Sequence, residues 1–318
     1  MTDHRLSLDR IAKAATLIDP VFLDSPQFRA ETLEPRLGCR LVVKVETLNP
    51  IRSFKGRGAE YLAAALEGRP QLVCTTAGNF GQGMAFAARK RGLALTVFTS
   101  LHANSLKIER MRALGAEVRQ VGEDFDAAHA AAQGFAAEAG ARLVEDGRDP
   151  AIGEGAGTIG RELLRWPEPF DAILVPLGDG SLLAGIARWI KAHRPDTRMI
   201  GVCASGAPAM ERSWRAGKPL ELERADTIAD GIAVRTPYPE ALSDITGLVD
   251  DILLVEDEML VESMRAAHRE LGLVLEPAGA AALAALLRHR DRFRGQLAAA
   301  ILTGGNITVE QMRQWLAP

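Results

Sequence analysis

The sequence predicts an α/β protein of two lobes, each built on a parallel sheet, with a cleft between them. Short apolar runs alternate with amphipathic stretches along most of the 318 residues, which is typical of βαβ units. The alternation occurs twice, on either side of a polar segment at 147–152. A connection at 217–250, rich in proline, glycine and charge, is typical of a loop that lines a site.

The order of the elements follows from the spacing of the apolar residues. Short apolar runs predict strands at 41–46, 71–75, 94–98, 117–121, 142–145, 171–177, 198–203, 251–255 and 299–303. Helical spacing predicts helices at 6–18, 55–66, 81–91, 104–114, 125–139, 153–165, 182–193, 207–215, 257–271, 278–288 and 308–316.

Composition excludes several classes of protein. The net charge of -3 and the lack of a basic block argue against nucleic-acid binding. No apolar run reaches membrane-spanning length and no apolar signal core follows Met1, so we expect no membrane association. Cys39, Cys74 and Cys203 lie far apart and without metal spacing, which indicates a reducing compartment. We therefore expect a cytoplasmic protein.

Lys55 is the first candidate for chemistry. It follows Pro50, and Ser53 is a candidate N-cap for the helix that begins here. A cation in the first helical turn beside Phe54 is disfavoured by the helix dipole and by poor solvation, so we expect a lowered pKa. Such an amine suits Schiff-base chemistry with a carbonyl cofactor. A surface lysine at a helix start is the alternative that this segment alone leaves open.

Two glycine-rich turns join predicted strands to predicted helices. Residues 178–182 (Gly-Asp-Gly-Ser-Leu) present N–H groups that suit a phosphate, although an ordinary βα turn is equally compatible. The Asp179 carboxylate would have to point to solvent or toward a cation. Residues 75–83 place Gly78 and Asn79 at a second helix start, which suits a carboxylate such as that of an amino acid.

Two other kinds of site have little support. A dinucleotide site needs an acid at the end of the strand after the glycine-rich turn, and the predicted strand 198–203 is followed by Ala204 and Ser205. A serine hydrolase needs a Gly-x-Ser-x-Gly elbow, which the sequence lacks.

Six motifs occur in the order found in one family. Residues 53–59 (Ser-Phe-Lys-Gly-Arg-Gly-Ala) resemble the lysine motif of the fold type II pyridoxal-phosphate enzymes, specifically the serine/threonine dehydratase (threonine ammonia-lyase) branch. Residues 77–83 are similar to its substrate-carboxylate loop and 178–182 to its phosphate loop. The other motifs lie at 227–234, 276–280 and 303–306. Together they cover nearly the whole length.

The resemblance implies a tryptophan-synthase-β-like fold with the cofactor in the cleft between the lobes. We expect a large cofactor-binding domain formed by 1–67 and 148–318, and a smaller, movable α/β domain at 68–147. It also implies amino-acid metabolism: a lyase that eliminates water from a serine- or threonine-like β-hydroxy amino acid and gives a 2-oxo acid and ammonia.

The resemblance assigns roles to particular residues. Lys55 would hold pyridoxal 5′-phosphate and, once released by substrate, act as the base at Cα. Asn79 would bond the phenolic oxygen, Phe54 would lie against the ring and Thr303 would face the pyridine nitrogen. The cofactor phosphate would be the acid for the departing hydroxyl, because no protein acid is evident. Expected cofactor contacts are Phe54, Lys55, Asn79, Gly178, Asp179, Gly180, Ser181, Leu182, Gly231, Glu276 and Thr303; expected substrate contacts are Ser53, Thr76, Ala77, Gly78, Asn79 and Phe80.

The chain departs from the family's pattern around the expected substrate pocket. Ala77 stands where the racemases of the group have a serine, so racemisation is disfavoured. Phe80 replaces a histidine and Arg52 a glycine, which predicts a substrate bulkier or less polar than threonine. The phosphate loop has Asp179 and Ser181 where the nearest relatives have glycine. Residues 204–210 supply no carboxylate at the group's divalent-cation site, so we expect no metal.

Other functions stay open on the sequence. A β-replacement transferase of the cysteine-synthase type would share the cofactor, although residues 76–79 (Thr-Ala-Gly-Asn) are closer to the dehydratases. A non-catalytic cofactor-binding protein is a further alternative. The expected partner is a small-molecule amino-acid substrate, and the group is commonly dimeric, so we expect a homodimer. Since the chain ends at Pro318, we expect no C-terminal regulatory domain.

Overall fold

A computed structural model describes residues 4–76 and 78–317. Its strands are β1 (Gln27–Arg29), β2 (Arg40–Val45), β3 (Leu72–Thr75), β4 (Leu95–Thr99), β5 (Glu117–Gln120), β6 (Arg142–Val144), β7 (Ala172–Pro176), β8 (Arg198–Ala204), β9 (Asp251–Val255) and β10 (Leu297–Leu302). A six-stranded sheet has the order β1-β2-β10-β7-β8-β9, and a four-stranded sheet has the order β5-β4-β3-β6. The predicted α/β class with two lobes is confirmed.

One strand departs from the prediction of purely parallel sheets. Strand β1 pairs with β2 in antiparallel register, Phe28 opposite Val43, at the edge of the large sheet. The sequence analysis missed β1 because three residues are too few to show an alternating pattern. The other ladders in the described residues are parallel, which places the carboxyl ends of neighbouring strands at one edge of each sheet.

The helices are α1 (Leu8–Leu17), α2 (Glu34–Leu37), α3 (Lys55–Ala65), α4 (Asn79–Arg91), α5 (Ser105–Ala113), α6 (Phe125–Ala139), α7 (Pro150–Leu163), α8 (Ser181–His193), α9 (Ala209–Ala216), α10 (Pro239–Ile245), α11 (Asp257–Leu271), α12 (Pro277–Arg288) and α13 (Val309–Leu316). Helices α2 and α10 were not predicted; α10 lies inside the predicted connection at 217–250. None of the helices in residues 4–76 and 78–317 has the length and apolar character that a membrane span requires.

Helix α12 is buried against the large sheet and positions one end of the site. Ten of its residues, Pro277 to Leu286, are buried, and most are alanines. A Cβ at Gly279 would collide with the backbone of Gly304, so the helix start lies directly against the segment that follows β10. Glu276, the N-cap residue of α12, is held beside that segment because its N–H donates to Gly304 O at 3.0 Å.

Helix α3 connects the two lobes. Its residues Ala59, Leu62 and Ala63 belong to the same apolar cluster as Leu72 and Met84 of the small lobe. Its first residue, Lys55, faces the cleft. The helix therefore fixes the cleft lysine to the core of the small sheet, while the expected domain limits at 67 and 148 remain a prediction.

A buried ionic cluster anchors α3 on its other side. Arg57 Nε donates to Glu46 Oε2 at 2.8 Å, and Arg57 Nη1 donates to Glu162 Oε1 at 2.6 Å. Lys44 Nζ donates to Glu162 Oε2 at 2.5 Å. All four side chains are buried. The cluster joins β2, α3 and α7 behind the site.

Candidate active site

A cavity of about 880 Å³ opens at the carboxyl ends of β3, β6 and β7. Ligands of open α/β sheets bind at this edge. The 221–238 part of the long connection closes its far side, as predicted. Thirteen of the predicted site residues line it: Phe54, Lys55, Thr76, Gly78, Asn79, Phe80, Gly178, Asp179, Gly180, Leu182, Gly231, Glu276 and Thr303. Ser53 and Ser181 are not part of the lining, and Ala77 lies outside the described residues.

Lys55 is the first residue of α3, as predicted, and its side chain enters the cavity. Because the helix begins at Lys55, the N-cap position falls on Phe54, which makes no side-chain capping bond, rather than on the predicted Ser53. Ser53 is buried beside Gly304, and its Oγ accepts the N–H of Lys55 at 3.4 Å. Lys55 Nζ lies 4.8 Å from the centroid of the Phe54 ring. The amine is therefore next to an aromatic face inside the cavity.

The expectation of a lowered pKa for Lys55 is wrong. Nζ donates to Asp146 Oδ2 at 2.5 Å and to Asp179 Oδ2 at 3.0 Å. Burial alone would lower the pKa of Lys55, but these two carboxylates outweigh it and raise the pKa above its ordinary value. In the unliganded protein Lys55 is consequently an ammonium ion.

The turn at 178–182 has the shape of an anion cradle at the start of α8. Gly180 has φ 103°, in the left-handed region that favours glycine. Asp179 Oδ1 accepts the N–H of Ser181 at 3.0 Å, one of the helix-start donors that an anion would use. The Asp179 carboxylate thus points toward a cation, which is one of the two directions expected from the sequence.

Gly78 is the N-cap residue of α4, which begins at Asn79. Thr76 Oγ1 accepts the N–H of Gly78 at 2.8 Å, and a Cβ at Gly78 would collide with the side chain of Lys107. Asn79 Nδ2 donates to Glu276 Oε1, and Asn79 Oδ1 accepts from Asn306 Nδ2 at 2.9 Å. The helix start and the Asn79 amide therefore face the cavity from the small lobe, as predicted.

Lys107 is a second cation of the cavity, and the sequence analysis did not single it out. Its Nζ lies 2.7 Å from Asp230 Oδ2 and 3.4 Å from Glu276 Oε2. Burial would lower the pKa of Lys107, but the charges of Glu276 and Asp230 outweigh it and raise the pKa. Glu276 Oε2 is buried without a hydrogen-bond partner among the described residues, and burial raises the pKa of this carboxyl. The contacts join α5 of the small lobe to the large lobe.

Asp146 is the most prominent residue that sequence reasoning missed. It follows β6 and lines the cavity beside Lys55. Ser181 Oγ donates to Asp146 Oδ1 at 3.0 Å and accepts the N–H of Gly147 at 2.9 Å. Burial, with Asp179 adding to it, raises the pKa of Asp146 to about 6. Its place after a strand was an available signal, because acids at the carboxyl ends of parallel strands meet at one edge.

The chain matches known proteins over nearly its whole length. Residues 18–304 match the model of the family described as pyridoxal-phosphate dependent enzyme. A biosynthetic L-threonine dehydratase of Lactococcus lactis is 31% identical over 97% of this chain and 77% of its own length. An L-threonine ammonia-lyase of Geobacter sulfurreducens is 38% identical over 86% of this chain and 69% of its own length. Other relatives are longer: the chain spans 56% of the L-threonine dehydratase of Pasteurella multocida.

A solved structure has the same fold. The crystal structure of a T.th. threonine deaminase superposes with a TM-score of 0.90 at 36% identity and covers 95% of this chain and 99% of its own. The chain belongs to the pyridoxal-phosphate dependent enzyme family. The family resemblance read from the six sequence motifs is confirmed, and pyridoxal 5′-phosphate is the cofactor of this enzyme.

The residues present fit this cofactor. The cavity contains a lysine amine, the amide of Asn79 and a glycine cradle at a helix start. The neutral hydroxyl residue Thr303 and the aromatic Phe54 line the same space. One contact opposes the phosphate, since Asp179 covers the Ser181 N–H. The Asp179 carboxylate must turn away from this N–H before a phosphate can use it.

Proposed function

We propose that the protein is a lyase that eliminates water from a β-hydroxy amino acid and releases a 2-oxo acid and ammonia. The observation that carries the proposal is the position of Lys55: its amine lies in one cavity with the 178–182 cradle and the α4 helix start. These three groups offer one partner each for a cofactor carbonyl, a phosphate and a substrate carboxylate. The names of the relatives point to the same reaction class.

Each residue of the cavity would have its own role in this reaction. When bound, pyridoxal phosphate stabilises negative charge at the Cα of an amino acid. Lys55 would hold the cofactor and later take the proton from Cα. The start of α4 at Gly78 and Asn79 would bind and orient the substrate carboxylate through backbone N–H groups, and the Gly78 N–H would first have to leave Thr76 Oγ1. Thr303 would meet the pyridine nitrogen with a neutral hydroxyl, which limits charge build-up and favours elimination over transamination.

We also propose a substrate bulkier or less polar than threonine. Phe54 would lie against the cofactor ring, but Phe80 and Tyr238 also line the cavity. These two aromatic side chains suit an aryl or extended alkyl group on Cβ.

Purified protein reconstituted with pyridoxal phosphate tests the function. We expect a visible absorbance band that Lys55→Ala abolishes, and 2-oxo acid release from β-hydroxy amino acids without an added thiol. Turnover of serine, threonine and phenylserine then ranks the side chains. Clear preference for serine contradicts the proposal of a bulky substrate. Release that requires an added thiol or sulfide favours the β-replacement transferase, and a band without any turnover favours a non-catalytic binding protein.

We further propose that the enzyme is a homodimer, as the dehydratase resemblance implies, and that it acts in the cytoplasm, as the cysteine pattern indicates. Sedimentation equilibrium of the holoenzyme tests the dimer, and a single species of monomer mass contradicts it.

A further inference from the structure

We propose that Asp146 is the proton donor to the departing β-hydroxyl, so that the acid of the reaction belongs to the protein and not to the cofactor phosphate. The inference rests on the proposed elimination. It replaces the sequence-based expectation, which assigned this step to the phosphate because no protein acid was evident.

Asp146 and Lys55 are in direct contact. Asp146 Oδ2 accepts from Lys55 Nζ at 2.5 Å inside the cavity. Lys55 must reach Cα to remove its proton, and the leaving hydroxyl sits on the neighbouring carbon. A carboxyl within hydrogen-bond reach of Nζ is therefore within reach of that hydroxyl, which is the first requirement for a general acid.

Asp146 differs in its surroundings from Asp179, the other acid that contacts Lys55. Asp179 Oδ1 accepts the Ser181 N–H at 3.0 Å, and its pKa is lowered because Lys55 and this N–H outweigh burial. Asp146 is fixed by Ser181 Oγ and has a raised pKa. Of the two carboxyls that share the Lys55 cation, Asp146 is therefore the one that takes up a proton first as the pH falls.

The titratable groups around Asp146 come from four elements. Lys55 faces it from α3, Asp179 from the cradle turn, Cys74 from β3 and Tyr238 from the long connection. Of these, only Lys55 carries positive charge. When Lys55 is joined to the cofactor, its positive charge stabilises the Asp146 carboxylate less. The protonated form of Asp146 is then favoured, and Asp146 can act as a proton donor.

The step balances within this pair. Lys55 takes the proton from Cα, and the electron pair of the C–H bond becomes the Cα=Cβ double bond. The Cβ–O bond breaks with its electron pair on oxygen, which takes the Asp146 proton and leaves as water. The proton on Lys55 Nζ then returns to Asp146 through their hydrogen bond. The pair gives one proton and takes one proton in each turnover.

Leaving-group dependence tests the inference. The β-hydroxy amino acid that the wild type turns over best is compared with β-chloroalanine, whose chloride leaves without a proton. We expect Asp146→Asn to lose about 10²–10⁴-fold in kcat on the hydroxy substrate, the range for losing a general acid, and less than about tenfold on β-chloroalanine. Equal losses on both substrates, or none on either, overturn the inference. A wild type that eliminates from neither substrate instead refutes the proposed function.

Two measurements exclude a merely structural effect. Exchange of the Cα hydrogen in D₂O, followed by proton NMR, reports Lys55 alone and should persist in Asp146→Asn. In the cofactor-free protein labelled with ¹³C-aspartate, one carboxyl should titrate with a pKa of about 6 and be absent in Asp146→Asn. Absence of such a signal from the wild type counts against the inference.

The matched control is Glu145→Gln. Glu145 also lines the cavity, but its carboxylate contacts Arg148 and His129. We expect both substrates to be turned over within about threefold of the wild type, since no reacting group is removed. If Asp146→Asn does not fold, Asp146→Ser supports the same comparison with a smaller neutral side chain.

Discussion

Lys107 Nζ lies 2.7 Å from Asp230 Oδ2, and this contact joins α5 of the small lobe to the 230–232 turn of the large lobe. The Lys107 side chain is 3% exposed and that of Asp230 is 40% exposed. Glu276, also 3% exposed, is the second acid beside the amine. Removal of the amine therefore leaves a buried carboxyl without its cation.

Lys107→Met should lower the free energy of unfolding by about 3 kcal/mol. This is the lower end of the range for breaking a buried ion pair, because Glu276 can take up a proton. Urea denaturation followed by circular dichroism measures the change. The control Lys90→Met removes a 44% exposed amine paired with Asp19, and Glu60, 3.8 Å from this amine, keeps its closer partner Arg91, so the change should cost less than about 1 kcal/mol. Equal effects of the two variants would show that Lys107 stabilises no more than a surface pair.

The buried Glu162 carboxyl should make the protein sensitive to acid. Burial would raise its pKa, but Arg57 and Lys44 outweigh burial and lower it to about 2, against an ordinary value of 4.5. The stabilisation is therefore complete above about pH 4.5 and is lost as the pH falls toward 2. One pKa unit corresponds to about 1.4 kcal/mol, so the loss is about 3 kcal/mol.

Urea denaturation at a series of pH values checks this prediction. In Glu162→Gln the amide does not titrate, so the variant should be less stable than the wild type at neutral pH and the difference should shrink as the pH falls. Parallel curves for the two proteins over the whole acid range would contradict the assignment to Glu162.

Asp179, the second carboxylate that contacts Lys55, should slow the binding of pyridoxal phosphate. Schiff-base formation needs the neutral amine, and Asp179 helps to keep Lys55 charged. In Asp179→Asn the pKa of Lys55 should fall. A fall of one unit exposes about ten times more neutral amine at neutral pH. The visible absorbance band should then appear about tenfold faster when pyridoxal phosphate is added to the cofactor-free protein.

The control for this experiment is Asp230→Asn, which removes an acid that lines the same cavity but contacts Lys107. Its rate of band formation should stay near that of the wild type. A rate for Asp179→Asn that equals or falls below the wild-type rate would mean that the carboxylate does not oppose uptake.

Local pattern was sufficient to predict most of the fold and the main parts of the site. Helical spacing identified α6 and α11 with the bounds that the structure has. Lys55 begins its helix, and residues 78–80 and 178–180 line one cavity as expected. Such features depend on residues close in sequence, where glycine, caps and periodicity are informative.

Features that depend on distant residues were missed or were wrong. The sign of the Lys55 pKa shift is set by Asp146 and Asp179, which lie 91 and 124 residues further along the chain. The helix-start effect that sequence reasoning invoked is smaller than two carboxylates in contact. Lys107 was not predicted as a site residue, because its partners Asp230 and Glu276 are distant in sequence and belong to the other lobe.

Arg52 was identified from the sequence, but only the structure explains why its position suits a glycine. Sequence comparison with the dehydratases identified it as an arginine in the place of a glycine. The structure supplies the backbone reason for the glycine, since Arg52 has φ 51° in the left-handed region. An L side chain there costs about 1–2 kcal/mol, so the chain tolerates a strained residue beside its site.

The pairing of β2 with β10 has a consequence for how the enzyme is made in the cell. Leu302 lies opposite Val45, and Phe54 N–H donates to the carbonyl of Thr303, so the lysine segment is positioned by residues synthesised about 250 positions later. At about 5–20 residues per second, a ribosome needs roughly 10–50 seconds to make the stretch in between. During this interval the small lobe can fold, but β10 and Thr303, which position the lysine segment of the cofactor site, have not yet been made. Loading with pyridoxal phosphate therefore has to wait for the synthesis of β10, and a nascent chain halted before β10 should not retain the cofactor.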